Sequence, residues 1–370
     1  MNESRNWVDC TIGEISKLSG GSAFKEKFQG HTSGEIPFIK VSDFNLSENQ
    51  KYITRANNWV SSETLKEMGA KVFPPGSVVF PKVGAALLSN RRRILLRPTA
   101  LDNNLMAAIP NGCCSEYLYH ALCKVDFSRF VQEGAVPSIN QEQVASVELS
   151  IPPLPEQKKI AEILSGIDTQ RQALAKKAAT ASMLRNALGE KIFSSLDGER
   201  VALGELCNPK QWQTISANQL TTSGYPVYGA NGKIGYFTEY NHKEPVLAVT
   251  CRGATCGNLT LIPAFSYVTG NSMCLDNPRK DTSPEYLFQF LAWRGLRDVI
   301  SGSAQPQITR SPLQAVEVVL PSKEKQDKIV SALQSVNNTE QLVNIALSRL
   351  DILKKAIAAD LLSGRKRVSI

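Results

Sequence analysis

The sequence predicts an α+β protein, a tandem duplication with pseudo-two-fold symmetry. Two globular domains of mixed α and β structure are separated by two long helices packed as an antiparallel coiled coil. The first observation is the stretch from Pro155 to Ser195, where apolar residues recur in alternating steps of four and three. The second is that the series returns 169 residues later, Ile329 matching Ile160. A helix that appears twice in one register indicates duplication.

The predicted seam of the two helices is described by its apolar positions. In the first helix and then the second, these are Ile160, Leu164, Ile167, Leu174, Leu188, Ile192, Ile329, Leu333, Val336, Val343, Leu347, Leu350, Ile357 and Leu361. Charged residues interrupt both series at matching places: Arg171 and Arg185 in the first helix, and Glu340 and Lys354 in the second. The interruptions must therefore be accommodated in both copies.

Chain connectivity favours antiparallel packing of the two helices, because a parallel pair would require the second domain to return the chain along the full length of the first helix. Membership of one compact bundle is an alternative, but bundle helices are usually near ~11–20 residues. If the seam brings Arg185 to Glu340, Arg171 then faces Lys354. That like-charged meeting is unfavourable when buried, so at least one interruption is expected to point to solvent or to a docked subunit.

We divide the chain into domain 1 (residues 1–154), a long helix (155–198), domain 2 (199–321), and a second long helix with a basic tail (322–370). The domains also repeat. TIGEI at Thr11–Ile15 is echoed by ALGEL at Ala202–Leu206. PGSVVFPKVG matches EPVLAVTCRG, and EYLYHAL matches EYLFQFL, at the offset of the helices. In domain 2, Asn231-Gly232 predicts a β-hairpin.

Composition points to a basic, globular protein in a reducing compartment. The formal net charge of +8 favours a polyanionic partner. The polar start MNESRNWVDC is unlike a secretory signal, and the eight cysteines lack a framework spacing, so a cytoplasmic protein is expected. Cys251, Cys256 and Cys274 with His242 are weak zinc candidates, because their spacing offers no second ligand pair. No metal site is expected.

Catalytic motifs are missing from the sequence, which favours a binding protein over an enzyme. There is no phosphate-binding G-x-x-x-x-G-K-[ST], no H-E-x-x-H and no G-x-S-x-G. The glycine-rich loop of a methyl-donor site and the Asn/Asp-Pro-Pro-aromatic motif of amino-methyltransferases are also missing. Three scattered histidines offer no confident acid–base pair.

Candidate nucleic-acid contacts are basic or amide residues near predicted turns, since Lys and Arg reach phosphates while Asn, Gln and Arg read base edges. They are Lys40, Arg55, Asn57, Lys82, Arg91, Arg92 and Arg93 in domain 1, and Lys210, Gln211, Gln213, Asn231, Lys233 and Arg252 in domain 2. Each is also consistent with an ordinary solvated surface residue. Within the run Arg91–Arg93, a strand directs at most two side chains to one face.

These residues carry a family resemblance. IPPLPEQKKIAEIL (Ile151–Leu164), TIGEI, GSAQPQI (residues 302–308) and the repeated domain–helix order resemble the specificity subunit of type I restriction–modification systems. The resemblance covers the whole chain. The second copy departs at the junction, where LPSKEKQDKIV replaces IPPLPEQKKIA.

The resemblance implies that each domain is a target recognition domain that reads one half of a split DNA sequence. The helices would set the spacing and dock two methyltransferase subunits that methylate adenine N6. Those partners would hold S-adenosylmethionine, and restriction–translocation subunits could join them. This chain would bind no cofactor and perform no catalysis. A coiled-coil scaffold with protein-binding domains and a self-contained enzyme with an unfamiliar site remain alternatives.

Overall fold

The computed structural model describes residues 7–131, 136–302 and 304–369. The start of the polar N-terminal segment, part of the predicted loop near Gly134, and Ser303 of GSAQPQI lie outside the described residues. The chain divides into two compact units. The first unit comprises Met1–Ala173 with Leu347–Ile370, and the second unit comprises Leu174–Ala346. Each unit therefore contains one globular domain and half of each long helix.

Domain 1 is built mainly from short strands. Several of these strands are fully buried and contain β-branched residues. Its strands are β1 Val8–Thr11, β2 Ser16–Gly20, β3 Ile36–Ile39, β4 Tyr52–Ile53, β5 Trp59–Val60, β6 Val72–Phe73, β7 Val78–Pro81, β8 Arg93–Leu95, β9 Thr99–Leu101, β10 Leu105–Pro110 and β11 Glu148–Ile151. Its helices are α1 Ile12–Ile15, α2 Ser62–Met68, α3 Ala85–Leu88, α4 Ser115–Lys124 and α5 Gln141–Ala145.

The strands of domain 1 form three sheets. A five-stranded sheet has the order β2-β10-β7-β8-β4, a four-stranded sheet has the order β5-β3-β9-β6, and β1 pairs with β11. The predicted helix at Ser61–Ala70 is present as α2, with Ser61 accepting a hydrogen bond from the Thr64 backbone N–H. Gly69 ends it in the left-handed conformation that glycine adopts without steric cost.

The long helix α6 Leu154–Ser194 leads to domain 2, and α10 Lys323–Leu361 follows that domain. The strands of domain 2 are β12 Glu199–Ala202, β13 Asn208–Gln211, β14 Tyr225–Gly229, β15 Gly232–Phe237, β16 Val246–Thr250, β17 Leu259–Ile262, β18 Tyr267–Val268, β19 Ser272–Asp276 and β20 Glu317–Leu320. Its helices are α7 Leu203–Leu206, α8 Pro284–Arg294 and α9 Arg310–Gln314.

The sheet topology repeats between the domains. Domain 2 has an antiparallel sheet of order β13-β19-β16-β17, which matches β2-β10-β7-β8 of domain 1, and β12 pairs with β20 as β1 pairs with β11. Domain 2 adds the sheet β15-β14-β18. The predicted hairpin is confirmed: Gly229 pairs with Gly232 across Ala230 and Asn231. The fold is thus a duplicated α+β domain followed each time by a long helix.

The predicted long helices are confirmed, and their seam residues are buried or half-buried. In the first unit, Ile160 and Leu164 are fully buried and pack in one cluster with Leu361. Because an early position of α6 meets the end of α10, the two helices are antiparallel there. In the second unit, Ile329 and Leu333 join the core of domain 2.

Charged side chains fix the seam through pairs of opposite sign. In the second unit, Arg185 Nη1 donates to Glu340 Oε2 at 3.0 Å, which is the register considered above as one option. In the first unit, Arg171 Nε donates to Asp351 Oδ1 at 2.6 Å, and Lys354 bonds to Asp168. Arg171 and Lys354 therefore each have a carboxylate partner. The Arg171 side chain is 45% exposed, in agreement with the expectation that at least one interruption points to solvent.

A buried glutamine ties each domain to the helix that follows it. Gln157 Oε1 accepts from the Cys114 backbone N–H at 3.0 Å, and its Nε2 donates to Pro152 O at 2.9 Å. Gln326 repeats both bonds, accepting from Ser283 N at 2.9 Å and donating to Pro321 O at 2.9 Å. The second junction therefore keeps the contact of the first, although its sequence differs. We call these two residues the junction glutamines.

Candidate nucleic-acid interface

In domain 2, candidate residues meet where β13 and β16 end. Gln211 is exposed, and its Nε2 donates to Gly270 O at 2.8 Å and lies 3.0 Å from Cys251 Sγ. Arg252 follows Cys251 and is exposed, while its backbone pairs with Gln307. Secondary structure thus brings an exposed amide and an exposed guanidinium to one end of the sheet.

The hairpin of domain 2 lies against the same end of the sheet. Thr255 Oγ1 donates to Asn231 Oδ1 at 3.1 Å, and Thr250 Oγ1 donates to Ala230 O at 3.1 Å. The hairpin tip is therefore attached to the turn that follows β16. Lys233 is exposed on β15, with its Nζ 3.8 Å from the centre of the Tyr236 ring.

The end of β13 and the residue that follows it present a cation on an aromatic ring. Lys210 is exposed, and its Nζ lies 3.7 Å from the centre of the half-buried Trp212 ring. Gln213 is also exposed, and its carbonyl oxygen accepts from the Tyr267 hydroxyl at 3.0 Å. Such contacts restrict where the Lys210 ammonium can lie while leaving it open to an anionic ligand.

Domain 1 places Lys82 at the corresponding end of its own sheet. Lys82 follows β7, the counterpart of β16, and is half-buried. A Cβ added to Gly20, at the end of β2, would lie 3.3 Å from Lys82 Nζ. Gly20 and Lys82 therefore occupy the places that Gln211 and Cys251 occupy in domain 2. The two domains share a geometry but present different side chains.

Lys40, Arg55 and Asn57 belong to a second group in domain 1. The buried Asp43 carboxylate accepts from the backbone N–H groups of Lys40 at 2.7 Å and Asn57 at 2.9 Å. Burial raises the pKa of Asp43, against the opposing effect of these bonds. Lys40 Nζ donates to Gln29 Oε1 at 2.8 Å. Asp43 thus organises the loops that carry these candidates.

Two of the candidates already have surface partners in domain 1. Arg55 Nη1 donates to Glu48 Oε1 at 2.8 Å, and this hydrogen bond lowers the pKa of Glu48 to about 2. Arg91 is exposed and donates to Asn45 Oδ1 at 2.6 Å. Both guanidinium groups are at the surface, so exchange of these partners for a phosphate is sterically open.

The structure does not support Arg92 and Arg93 as nucleic-acid contacts, because both are buried. Arg92 is 1% exposed, and its guanidinium lies 4.1 Å from the centre of the Phe127 ring. Burial lowers the pKa of Arg92 to about 10, so the residue stays cationic at neutral pH. Arg93 is 8% exposed and donates from Nη2 to Phe44 O at 3.1 Å. Their role is structural.

Replacing Arg92 by alanine is expected to destabilise the protein by about 2–4 kcal/mol, because it removes a buried cation–aromatic contact and leaves a cavity. Urea unfolding monitored by circular dichroism measures this loss. The matched control is Arg91→Ala, whose exposed side chain should change stability by less than ~0.5 kcal/mol. Equal effects of the two substitutions would contradict the structural assignment of Arg92.

Sequence reasoning missed Thr255 as a member of the domain 2 group. Thr255 and Asn231 line a cleft of about 650 Å³ between the hairpin tip and α8. Two glycines with positive φ, Gly253 (84°) and Gly257 (90°), bracket Thr255. This glycine spacing was the available signal for a tight turn beside the strand end.

One buried group in domain 2 offers the chemistry of metal ligands. The group consists of a ring nitrogen of His242, the sulfur of Cys274 and a carboxylate oxygen of Asp276. These three atoms lie within 4.8 Å of one another. Neither Cys251 nor Cys256 belongs to this group. Burial, followed by the charge of Asp276, raises the pKa of the Cys274 thiol.

Two similar domains, each presenting exposed cations or amides on comparable loops and followed by a long helix, are the features expected of a protein that recognises two different sites. A family model described as "Type I restriction modification DNA specificity domain" matches residues 4–180 and 196–349. The chain belongs to this family.

Among the described residues, no helix is both long and apolar enough to cross a membrane.

Individual relatives agree with this assignment. The chain is similar to the type I restriction enzyme EcoprrI specificity subunit of Escherichia coli, with 25% identity over 351 residues, covering 87% of this chain and 85% of that one. Its fold is similar to a type I restriction–modification S subunit from M. genitalium, with a TM-score of 0.70, 15% identity and coverage of 98% and 97%. A chain solved in a study of complex assembly and conformational transition of the type I system has a TM-score of 0.54, 18% identity and coverage of 97% and 98%.

Proposed function

We propose that this chain is the DNA-recognition subunit of a type I restriction–modification complex, in which each domain reads one half of a bipartite, gapped target. The observation that carries this proposal is the repeated sheet end with unlike side chains. Gln211 and Arg252 lie there in domain 2, while Gly20 and Lys82 lie there in domain 1. The two domains share the same sheet end but carry different side chains there, which suits the reading of two different DNA half-sites.

The long helices carry a repeated apolar surface that fits two copies of one partner. Met183 and Leu184 of α6 are 73% and 55% exposed. Ile352 and Leu353 of α10, at the repeat offset, are 70% and 51% exposed. One of these two matching pairs lies in each unit, and the second unit also exposes Leu342 and Ile345 of α10. Exposed apolar residues are unusual on long helices whose seams are already covered.

These pairs are the proposed docking points for two methyltransferase subunits that modify adenine N6, and through them for restriction–translocation subunits. The partners would hold S-adenosylmethionine and perform the chemistry, so this chain acts without its own catalysis. The length of the paired helices would set the gap between half-sites. The net charge of +8 favours association with DNA, and we expect the complex in the cytoplasm, where its DNA substrate lies.

The test is to express the full chain with its methyltransferase subunits in a host lacking other adenine methylation, and to sequence the methylated motifs. Two short half-sites separated by a fixed gap are expected. Methylation without sequence preference would overturn the proposal and would favour a scaffold with protein-binding domains.

Two arginine variants localise the readout in the same assay. Arg252→Ala is expected to weaken or relax one half-site only, at a cost of about 1–3 kcal/mol if the guanidinium reads a base. Arg200→Ala is the control, because Arg200 is exposed but already bonded to Glu317 in the β12–β20 pair. Loss of both half-sites in Arg252→Ala would contradict the assignment of Arg252 to one half-site.

A further inference from the structure

We infer that domain 2 contains a structural site for a zinc-like divalent transition-metal ion, formed by His242, Cys274 and Asp276. The three side chains come from two places in the sequence. Cys274 and Asp276 are alternate residues of β19 and therefore lie on one face of the strand. His242 reaches that face from the segment before β16, where its backbone pairs with Ser266. All three residues are buried.

The hydrogen-bond network fixes which nitrogen of His242 carries a proton. The Asn241 amide is oriented by Val268, whose N–H donates to Oδ1 at 2.8 Å and whose carbonyl accepts from Nδ2 at 2.9 Å. Asn241 Oδ1 then lies 2.7 Å from His242 Nδ1. Because this oxygen can only accept, Nδ1 must be the donor. In a neutral ring, Nε2 therefore presents a lone pair.

That lone pair faces an atom that also lacks a hydrogen. His242 Nε2 lies 3.1 Å from Asp276 Oδ1, and the other carboxylate oxygen, Oδ2, accepts from Trp212 Nε1–H at 3.0 Å. Two acceptors this close require a positive charge between them or on one of them. A metal ion supplies that charge. The alternative is a proton shared by Nε2 and the carboxylate, in which case Cys274 serves only as a buried residue of the core around β16 and β19.

Charge balance and ligand chemistry favour the metal. A divalent ion with one thiolate and one carboxylate is neutral, which avoids the cost of burying net charge. Imidazole nitrogen, thiolate and carboxylate together suit Zn²⁺, and a water molecule can complete four-fold coordination. Binding releases the Cys274 thiol proton to solvent and forms the metal–sulfur bond.

The surroundings already provide the outer contacts that a metal site needs. Ligating histidines usually donate their other N–H to an oxygen, as Nδ1 of His242 does to Asn241. Asp276 is held in the same way by Trp212. Tetrahedral zinc ligands lie about 3.3–3.8 Å apart. His242 Nε2 and Asp276 Oδ1, at 3.1 Å, are already near this spacing, so only the widest separation in the group, at most 4.8 Å, must close by up to about 1 Å.

The position of the site gives it a consequence for the candidate interface. Trp212 packs edge-on against His242, with ring centres 5.1 Å apart. The same Trp212 ring also contacts the Lys210 ammonium group. Lys210 is also the β13 partner of Cys274 in the sheet register. A bound metal would therefore immobilise the base of the segment that carries Lys210 and Gln213.

The experiment is a Co²⁺ titration of the full-length, tag-free chain in a non-coordinating reductant, followed by absorption spectroscopy. One Co²⁺ per chain and a thiolate-to-cobalt charge-transfer band are expected. Cys274→Ser should abolish the band, and Asp276→Asn should weaken binding about 10-fold or more. The control is Cys256→Ser, a half-buried thiol outside the group, which should keep the band. Zn²⁺ should displace the cobalt.

Three outcomes would overturn the site: no stoichiometric binding, a band that persists in Cys274→Ser, or a band lost in Cys256→Ser. The first outcome would favour the proton shared by Nε2 and the carboxylate, and the second would indicate binding by other thiols. Circular dichroism checks that each variant folds. If Cys274→Ser does not fold, X-ray absorption of the zinc-loaded wild-type chain decides. One sulfur ligand with nitrogen and oxygen supports the site, while none, or more than one, contradicts it.

Discussion

Replacing domain 2 by that of a relative is expected to change one half of the DNA target completely and to leave the other half intact. The structure favours this modularity, because domain 2 begins and ends on one antiparallel pair of strands. Glu199 of β12 lies opposite Leu320 of β20. A graft of residues 199–320 therefore carries the whole strand pair and leaves both long helices native.

The grafted domain must also supply hydrogen-bond partners for the side-chain amide of Gln326, the junction glutamine of α10. Gln326 accepts from the backbone of Ser283 and donates to the carbonyls of Asp281 and Pro321. Any donor domain with a backbone N–H at the position of Ser283 can form the first bond, so side-chain identity there matters little. Methylated-motif sequencing with the native methyltransferase measures the outcome.

The matched control for this exchange is a graft that ends inside the strand pair, at residues 203–316. It should fold less well, because β12 and β20 would then come from one parent and the domain core from the other. If the complete 199–320 graft instead alters both half-sites, the two domains do not read DNA independently and the modular proposal is wrong.

Lengthening both long helices by seven residues is expected to widen the gap between half-sites by about three base pairs. Seven residues add about 10 Å of helix and preserve the heptad phase of the seam. One base pair spans about 3.4 Å of DNA. Suitable insertion points are Ala173/Leu174 and Ala346/Leu347, the boundaries between the two compact units.

An insertion of seven residues into α6 alone is the informative comparison. It leaves α10 unchanged and displaces Arg185 from Glu340, or Arg171 from Asp351, by about two turns. We expect this variant to lose specific methylation. The same insertion in the exposed turn at Gly112 should leave the gap unaltered. A native gap in the doubly lengthened protein would exclude the helices as the spacing element.

Periodicity was enough to predict the long helices, and chain connectivity was enough to predict their antiparallel pairing. The pattern repeats over many turns, so single errors do not alter it. The Arg185–Glu340 pair was one register that the sequence allowed, and the structure contains it. Asp168 and Asp351 could not be found in this way, because they lie outside the four-three series that defined the seam. Partners one turn away become visible only when side-chain directions are known.

Features formed by distant segments were not predictable. Arg92 is buried because Phe80 and Phe127, far apart in sequence, converge on its guanidinium. A run of three arginines otherwise resembles a surface patch. The group of His242, Cys274 and Asp276 depends on a similar meeting of a loop with a strand. The candidate DNA contacts stay a prediction, and some of them, such as Lys210 and Lys233, lie in strands rather than in loops. The sheet end that Gln211 and Arg252 share emerged only from strand order.

The junction glutamines have a mechanical consequence for each unit. Bending a helix away from its domain would break hydrogen bonds of a buried amide and leave polar atoms without partners, at about 1–3 kcal/mol for each group. Gln157 and Gln326 are 2% and 0% exposed, so water does not readily replace those bonds. Each joint therefore resists hinging, and a load applied to a helix should be transmitted to its domain as torque rather than absorbed at the junction.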